Sequence, residues 1–425
     1  MIFLYFCSVK KSSINKLFYQ PMKKCFIIVA VLFPIMLHAQ KNSQWRGEKR
    51  DGIYKETGLL KEWSADGPRL LWKYEGLGNG FTSVAIANEK IYITGQTDDI
   101  LMLYVLDLKG KLLAKKEVGK EWTKSYAGTR CTVCVNDGKL YIGNSLGQIH
   151  CLDEITLNEV WKKDLLTDFD GKNIMWGMTE SPLIVGDKIF ATPGGTQHNM
   201  VALNKNTGAL IWSSQGEGGL TAYCSPQYID DQSVPIVVTS TVRHLIAYNA
   251  DTGEKLWSHP QRKQNPSYDI HPNTPIYSNG MIFVTTGYRG GAMLLRLKDG
   301  GKAVEQVWEN SEMDNQMGGA VRVGDYVYAS GHGNKSWFCV DWKTGETKYK
   351  VSNLAPCNVI FADGMLYCYS EKGEMGLVKP DPDQFNMVSN FKVTMGTGEH
   401  WAHPVIHQGV LYLRHGDALM AYQLK

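Results

Sequence analysis

One eleven-residue unit recurs along the chain and constrains its fold more than any other feature. Its clearest copy is AYNADTGEKLW, Ala247 to Trp257, and a second, ALNKNTGALIW, runs from Ala202 to Trp212. CLDEITLNEVW (Cys151 to Trp161) keeps the Asp, the Thr and the Trp but has no Gly, and CVDWKTGETKY (Cys339 to Tyr349) ends on Tyr. Asp or Asn ahead of the turn bonds backbone N–H groups two residues on, and Gly supplies the positive φ of a tight hairpin. The unit therefore reads strand, turn, strand. A Trp recurring at its end is a packing device, since each buried indole removes roughly 200 Å² from water.

A second landmark counts the repeats. Short turn residues followed by apolar residues and an aromatic end at Tyr92, Tyr141, Phe190, Phe283, Tyr328, Tyr367 and Tyr412, with Val237 in the same place after a three-residue insertion; spacings run from 39 to 49 residues. This is the period of a four-stranded propeller blade. Nine residues before each aromatic stands a column of small or polar residues, Ser83, Thr132, Ser181, Thr274, Gly319, Asn358 and His403, joined by Ser225 once the insertion is allowed for. The column marks the innermost strand, A, of eight blades ordered A, B, C, D. The chain stops after a C strand, and Arg69–Glu75, with Trp72, supplies the missing outer strand and closes the ring.

The repeated unit resembles the tryptophan-docking motif of PQQ-type β-propellers, the group that includes quinoprotein alcohol dehydrogenases and BamB-type outer-membrane assembly proteins. The resemblance covers nearly the whole chain after residue 39 and implies an all-β, eight-bladed propeller of four-stranded antiparallel blades. For the enzymes it implies PQQ with calcium held by a Glu and an Asn, and an Asp as base. Glu180 and Asn273 stand in the same repeat column, and Asp269 or Asp314 is the matching base. No two cysteines are adjacent and there is no Cys-x-x-Cys-His, so the ring disulfide and haem site of many such enzymes have no counterpart.

The N-terminus reads as an export signal. From Met22, the expected start, come Lys23 and Lys24, an apolar run from Cys25 to Leu37, and a Leu-His-Ala cleavage site ending at Ala39. A periplasmic or secreted product is expected, and the run of about a dozen apolar residues is shorter than a membrane span of about 20. Removing residues 1–39 takes away five Lys, leaving 40 basic against 42 acidic residues. A near-neutral surface gives no basic footprint for nucleic acid. The seven remaining cysteines fall on apolar strand positions and read as small buried hydrophobes. Residues 40–68, with Trp45-Arg-Gly and Arg50-Asp-Gly, are expected to pack on the outside of the propeller spanning 69–425.

In an antiparallel meander the B–C and D–A connections share one face, and here they are the long ones, such as Asp164–Met178 and Thr286–Ala292. Binding residues concentrate on such loops. Eight of the ten histidines after the leader map to this face or to the start of an A strand. The candidate ligand-binding residues are Arg130, Trp176, Glu180, Tyr223, Arg243, His244, His271, Asn273, Arg289, His332, His400 and Trp401, with Asp269, Asp314 and His271 as catalytic candidates and Glu180 and Asn273 as calcium ligands if PQQ binds. Three functions fit: a monomeric binding propeller for a small molecule, a glycan or a periplasmic protein partner; a PQQ- and calcium-dependent alcohol or sugar dehydrogenase; and a lyase or hydrolase of acidic glycans.

Overall fold

The computed structural model describes residues 42–261, 271, 273–316 and 319–425. They form eight blades of four antiparallel strands from consecutive chain segments, with two exceptions: the blade that starts at Cys357 gains a fifth, parallel strand, Ile53–Tyr54, and Leu70–Glu75 completes the sheet of the last three strands, Val405–His407, Val410–His415 and Ala418–Gln423. The two ends of the ring thus share blade 8, with Trp72 opposite Ala421. Blades 1 to 7 begin at Ala85, Cys134, Leu183, Gln227, Ile276, Val321 and Cys357.

The docking unit works as its residue types dictate. In blade 4 the Asn249 side chain accepts from Asp251 N and Thr252 N, turning the chain between strands C and D. Each docked indole then donates to a backbone carbonyl of the next blade. Trp161 reaches Lys205 O, Trp212 reaches Ala250 O, Trp257 reaches Gly301 O, Trp308 reaches Trp342 O and Trp72 reaches Leu108 O, all at 2.9–3.1 Å. The Thr-Gly pair has a second role, because the ring of the preceding blade lies on that glycine. A Cβ at Gly253, which also has φ +77°, would stand 2.6 Å from the Trp212 ring.

The exceptions obey the same rule. Blade 1 carries Ala114, not Trp, opposite Val105, and the following blade carries Leu157, at φ 57°, where its relatives carry that Gly. With no indole to receive, the site is filled by Leu157 packed beside Ala114. Ala114→Trp alone is expected to destabilise by roughly 1–3 kcal/mol through overpacking. Adding Leu157→Gly makes room and relieves the left-handed backbone, so a double-mutant cycle in urea should show favourable coupling above about 0.5 kcal/mol; additive effects would mean that the two residues do not substitute for Trp and Gly.

Blade 7 has Ser389 at the docking position. Here the N-terminal segment supplies the ring: Trp63 N donates to Ser389 Oγ, and the indole lies 6.1 Å from Tyr367, the spacing of Trp161 from Tyr141. Leu59 N bonds Asp363 and Leu60 N bonds Leu424 O, laying this stretch over blades 7 and 8.

Residues 42–54 depart from the expected outside position, because they enter the central channel. Ser43 forms a two-way backbone bridge with Val135 of blade 2, and Ile53–Tyr54 pairs in parallel with Phe361–Ala362 of blade 7. Between these anchors Arg46 and Arg50, each at φ 59°, extend to opposite walls. Arg46 donates to Ala320 O at 2.7 Å and Val359 O at 3.2 Å and meets His403 Nδ1 at 3.2 Å; Arg50 donates to Ser181 O at 3.1 Å and to Pro182 O. The physical reason is the A-strand column. Ser83, Thr132, Ser181 and Ser225 each donate their backbone N–H to the hydroxyl of the next blade's column residue, at 2.9–3.1 Å. That belt occupies the N–H groups and leaves carbonyls such as Ser181 O for the guanidinium groups. Gly319 interrupts the belt, and a Cβ there would stand 3.2 Å from Arg46.

Candidate functional site

Above the inserted segment the channel opens to the loop face as a funnel of about 380 Å³, within the size range of small-ligand sites. Its aromatic residues form two arcs. Trp401, Phe81 and Tyr126 precede blades 8, 1 and 2, with ring centroids 5.0 and 5.1 Å apart on either side of Trp401. Trp176, Tyr223 and Tyr288 belong to blades 3 to 5; Trp176 stacks on Tyr288 at 6.3 Å and lies 5.8 Å from Tyr223. Gln316, His332 and Asn358 form the remaining, polar arc, and Trp45 closes the floor with Ser181, Ser225 and His403.

Strand alternation explains which expected residues meet here. The column hydroxyls face the axis, so residues two places earlier also face it and residues one place earlier face away. Arg130, Tyr223 and Trp401 stand two places before Thr132, Ser225 and His403, and all line the funnel. Phe81 and Thr179 obey the same rule ahead of Ser83 and Ser181; the period of two would have found them. Trp176 and His332 also line the funnel, from loops.

Glu180 and Asn273 stand one place before the column and are not among the funnel-lining residues. They line separate small cavities, Glu180 with Asn144 and Met178, Asn273 with Arg46 and Phe283. Asn273 Nδ2 donates to Thr285 O and Asn315 O at 3.1 and 2.7 Å. Burial pushes the Glu180 carboxyl up to about 8, against hydrogen bonds from Thr192 and the Arg50 charge. Its protonated form is therefore favoured in the folded state, and its contribution to stability, fully present below the ordinary carboxylate pKa, is lost as pH rises through about 8. Glu180→Gln should thus stabilise the protein at alkaline pH by a few kcal/mol and not at acid pH, measured by urea unfolding across that range; a pH-independent effect would contradict the assignment.

The other expected residues are absorbed by structure. His271 is buried, bonds Val242 O through Nε2 at 2.9 Å, and is held down at about 4 by burial. His400 meets Tyr369 Oη at 2.6 Å and stacks on His415 with centroids 3.5 Å apart; burial and the neighbouring His415 lower it to about 4. Asp314 accepts from Arg289 N at 2.8 Å and Gly333 N at 3.2 Å, clamping the two loops that carry Tyr288 and His332. It holds the funnel wall. Arg243 and Arg289 are exposed and His244 is half-buried, none of them among the funnel-lining residues. Asp269 lies outside the described residues, as does the leader.

The family model described as outer membrane protein assembly factor BamB matches residues 103–227 and 147–381. The chain belongs to the BamB-like PQQ-repeat family. Quinoprotein alcohol dehydrogenase PedH of Pseudomonas putida is 22% identical over 297 residues, 65% of this chain and 47% of that protein. Outer membrane protein assembly factor BamB of Shewanella oneidensis is 28% identical over 200 residues, 45% of this chain and 46% of that protein. The chain thus spans about half the length of these relatives. Among solved structures, BamB from Moraxella catarrhalis superposes with a TM-score of 0.62 at 13% identity, covering 84% of this chain and all of that one. A quinohemoprotein alcohol dehydrogenase from Comamonas testosteroni gives 0.61 at 11% identity, covering 88% and 79%. These likenesses show the fold.

The two calcium ligands expected from the sequence, Glu180 and Asn273, do not meet in one cavity among the described residues. No group of three His, Cys, Asp or Glu side chains that could hold a metal ion comes together among the described residues. Arg130 spends both terminal nitrogens on Gly128 O, Ser145 Oγ, Ser125 O and Tyr126 O. Among the described residues no helix is long and apolar enough to cross a membrane.

Proposed function

We propose that the protein is an exported, monomeric binding propeller that holds a small ring-bearing ligand in its loop-face funnel. The observation that carries this reading is the convergence of aromatic side chains from six blades on one floored cavity, with Trp45 as the floor. Aromatic rings held at blade entrances give large contact area with little conformational entropy to lose. The leader from Met22 to Ala39 supports export. Kinship with BamB supports a binding role, and kinship with PedH makes a dehydrogenase the rival reading.

Ligand-observed NMR with a library of sugars, quinones and heteroaromatic acids tests it. Compounds that bind should compete with one another and lose binding in Trp176→Ala and Trp401→Ala. Compounds that bind equally well to both variants would place the site elsewhere. PQQ added with calcium should leave alcohol-dependent dye reduction at background; sustained reduction would establish the dehydrogenase instead.

A further inference from the structure

We infer that the funnel ligand is a neutral carbohydrate, one pyranose ring entering between the two aromatic arcs; this rests on the binding reading above. The ring order sets the geometry. Phe81 leads into blade 1 and Tyr288 belongs to blade 5, four positions apart in a ring of eight, so their arcs face each other across the axis. A pyranose has two C–H faces that pack on aromatic rings and a girdle of hydroxyl groups that needs donors and acceptors. The third arc and the floor answer that girdle. Gln316 donates Nε2 to Tyr288 Oη at 2.7 Å, which leaves its Oε1 as an acceptor. Ser181 Oγ accepts from Thr132 N and Ser225 Oγ from Ser181 N, so each hydroxyl keeps its proton to donate at the floor.

Charge selects against acidic and cationic ligands. No Asp or Glu is among the described lining residues, and the Arg130 guanidinium lies over the Phe81 ring, 5.8 Å from its centroid, with its terminal nitrogens bonded to protein oxygens. His332 Nδ1 lies 3.5 Å from Glu371 Oε2. A ligand bearing several carboxylates would find one lining arginine, Arg130, with both terminal nitrogens already bonded, and would leave its further carboxylates in an aromatic slot at a desolvation cost. A neutral sugar has no such cost.

Titration of tryptophan fluorescence with cellobiose, maltose, mannobiose, xylobiose and chitobiose tests the inference. At least one should bind saturably, with an affinity unchanged by salt because no charge pairing is involved. Trp176→Ala and Trp401→Ala should each weaken it by about tenfold or more, while Trp176→Phe, which keeps a ring, should retain most of it; melting curves confirm that the variants fold. Failure of all five sugars would overturn the carbohydrate assignment. If PQQ with calcium, or an aromatic acid, then binds and is lost in the same variants, the funnel reading survives without it. A disaccharide that binds equally to wild type and to both alanine variants would overturn the funnel reading itself.

Discussion

Trp257→Ala should lower the unfolding free energy by about 3–5 kcal/mol, the usual cost of a large-to-small change at a buried aromatic. Trp257 is only 8% exposed and packs with Leu245, Ala247, Ile282, Met293 and Leu295 from blades 4 and 5. Its indole N–H donates to Gly301 O at 3.1 Å across the blade boundary. The substitution therefore opens a cavity between two blades and strips a carbonyl of its partner. Urea unfolding measures the loss, and a change below about 1 kcal/mol would show that the ring is not docked between blades.

Arg46→Ala should release residues 42–54 from the channel. The guanidinium serves Ala320 O, Val359 O, Asp51 O and His403 Nδ1, and bonds from a charged donor are worth about 1.5–3 kcal/mol each. Because burial already holds this arginine down at about 10, the net loss should be smaller than the sum, roughly 3–5 kcal/mol for a buried network with one partner removed. Trypsin, which finds Arg50 buried in the native fold, should then cut there quickly. Unchanged digestion together with an unchanged melting temperature would mean that the bonds of Arg46 do not hold the segment. The same variant should weaken funnel binding, since Trp45 forms the floor.

The parts of this structure that repeat were legible in the sequence. Trp161, Trp212 and Trp257 announce the docking seam because each sits in the same register of the same unit, and closure by Trp72 follows from the missing outer strand. The Ser and Thr column also identifies the axis. What escaped was the face of each residue near it. Glu180 and Asn273 share a column, yet a strand's period of two sends that column away from the ligand space, while Phe81 and Thr179, one residue further back, point into it. The inserted segment has no second copy to set its register, and Arg46 and Arg50 read as loop residues until the free carbonyls of the blades are known. Trp63 filling the place left by Ser389 is a contact between residues more than 320 positions apart, beyond any local pattern.

Some tryptophans build blades and others face the funnel, and 19F NMR of protein labelled with 5-fluorotryptophan tests that division most directly. Each resonance is assigned by single Trp→Phe substitution. Titration with the disaccharides, and separately with PQQ and calcium, should move the signals of Trp45, Trp176 and Trp401 and leave those of Trp161, Trp212, Trp257 and Trp308 in place. Shifts in the second group with the first unchanged would contradict the account.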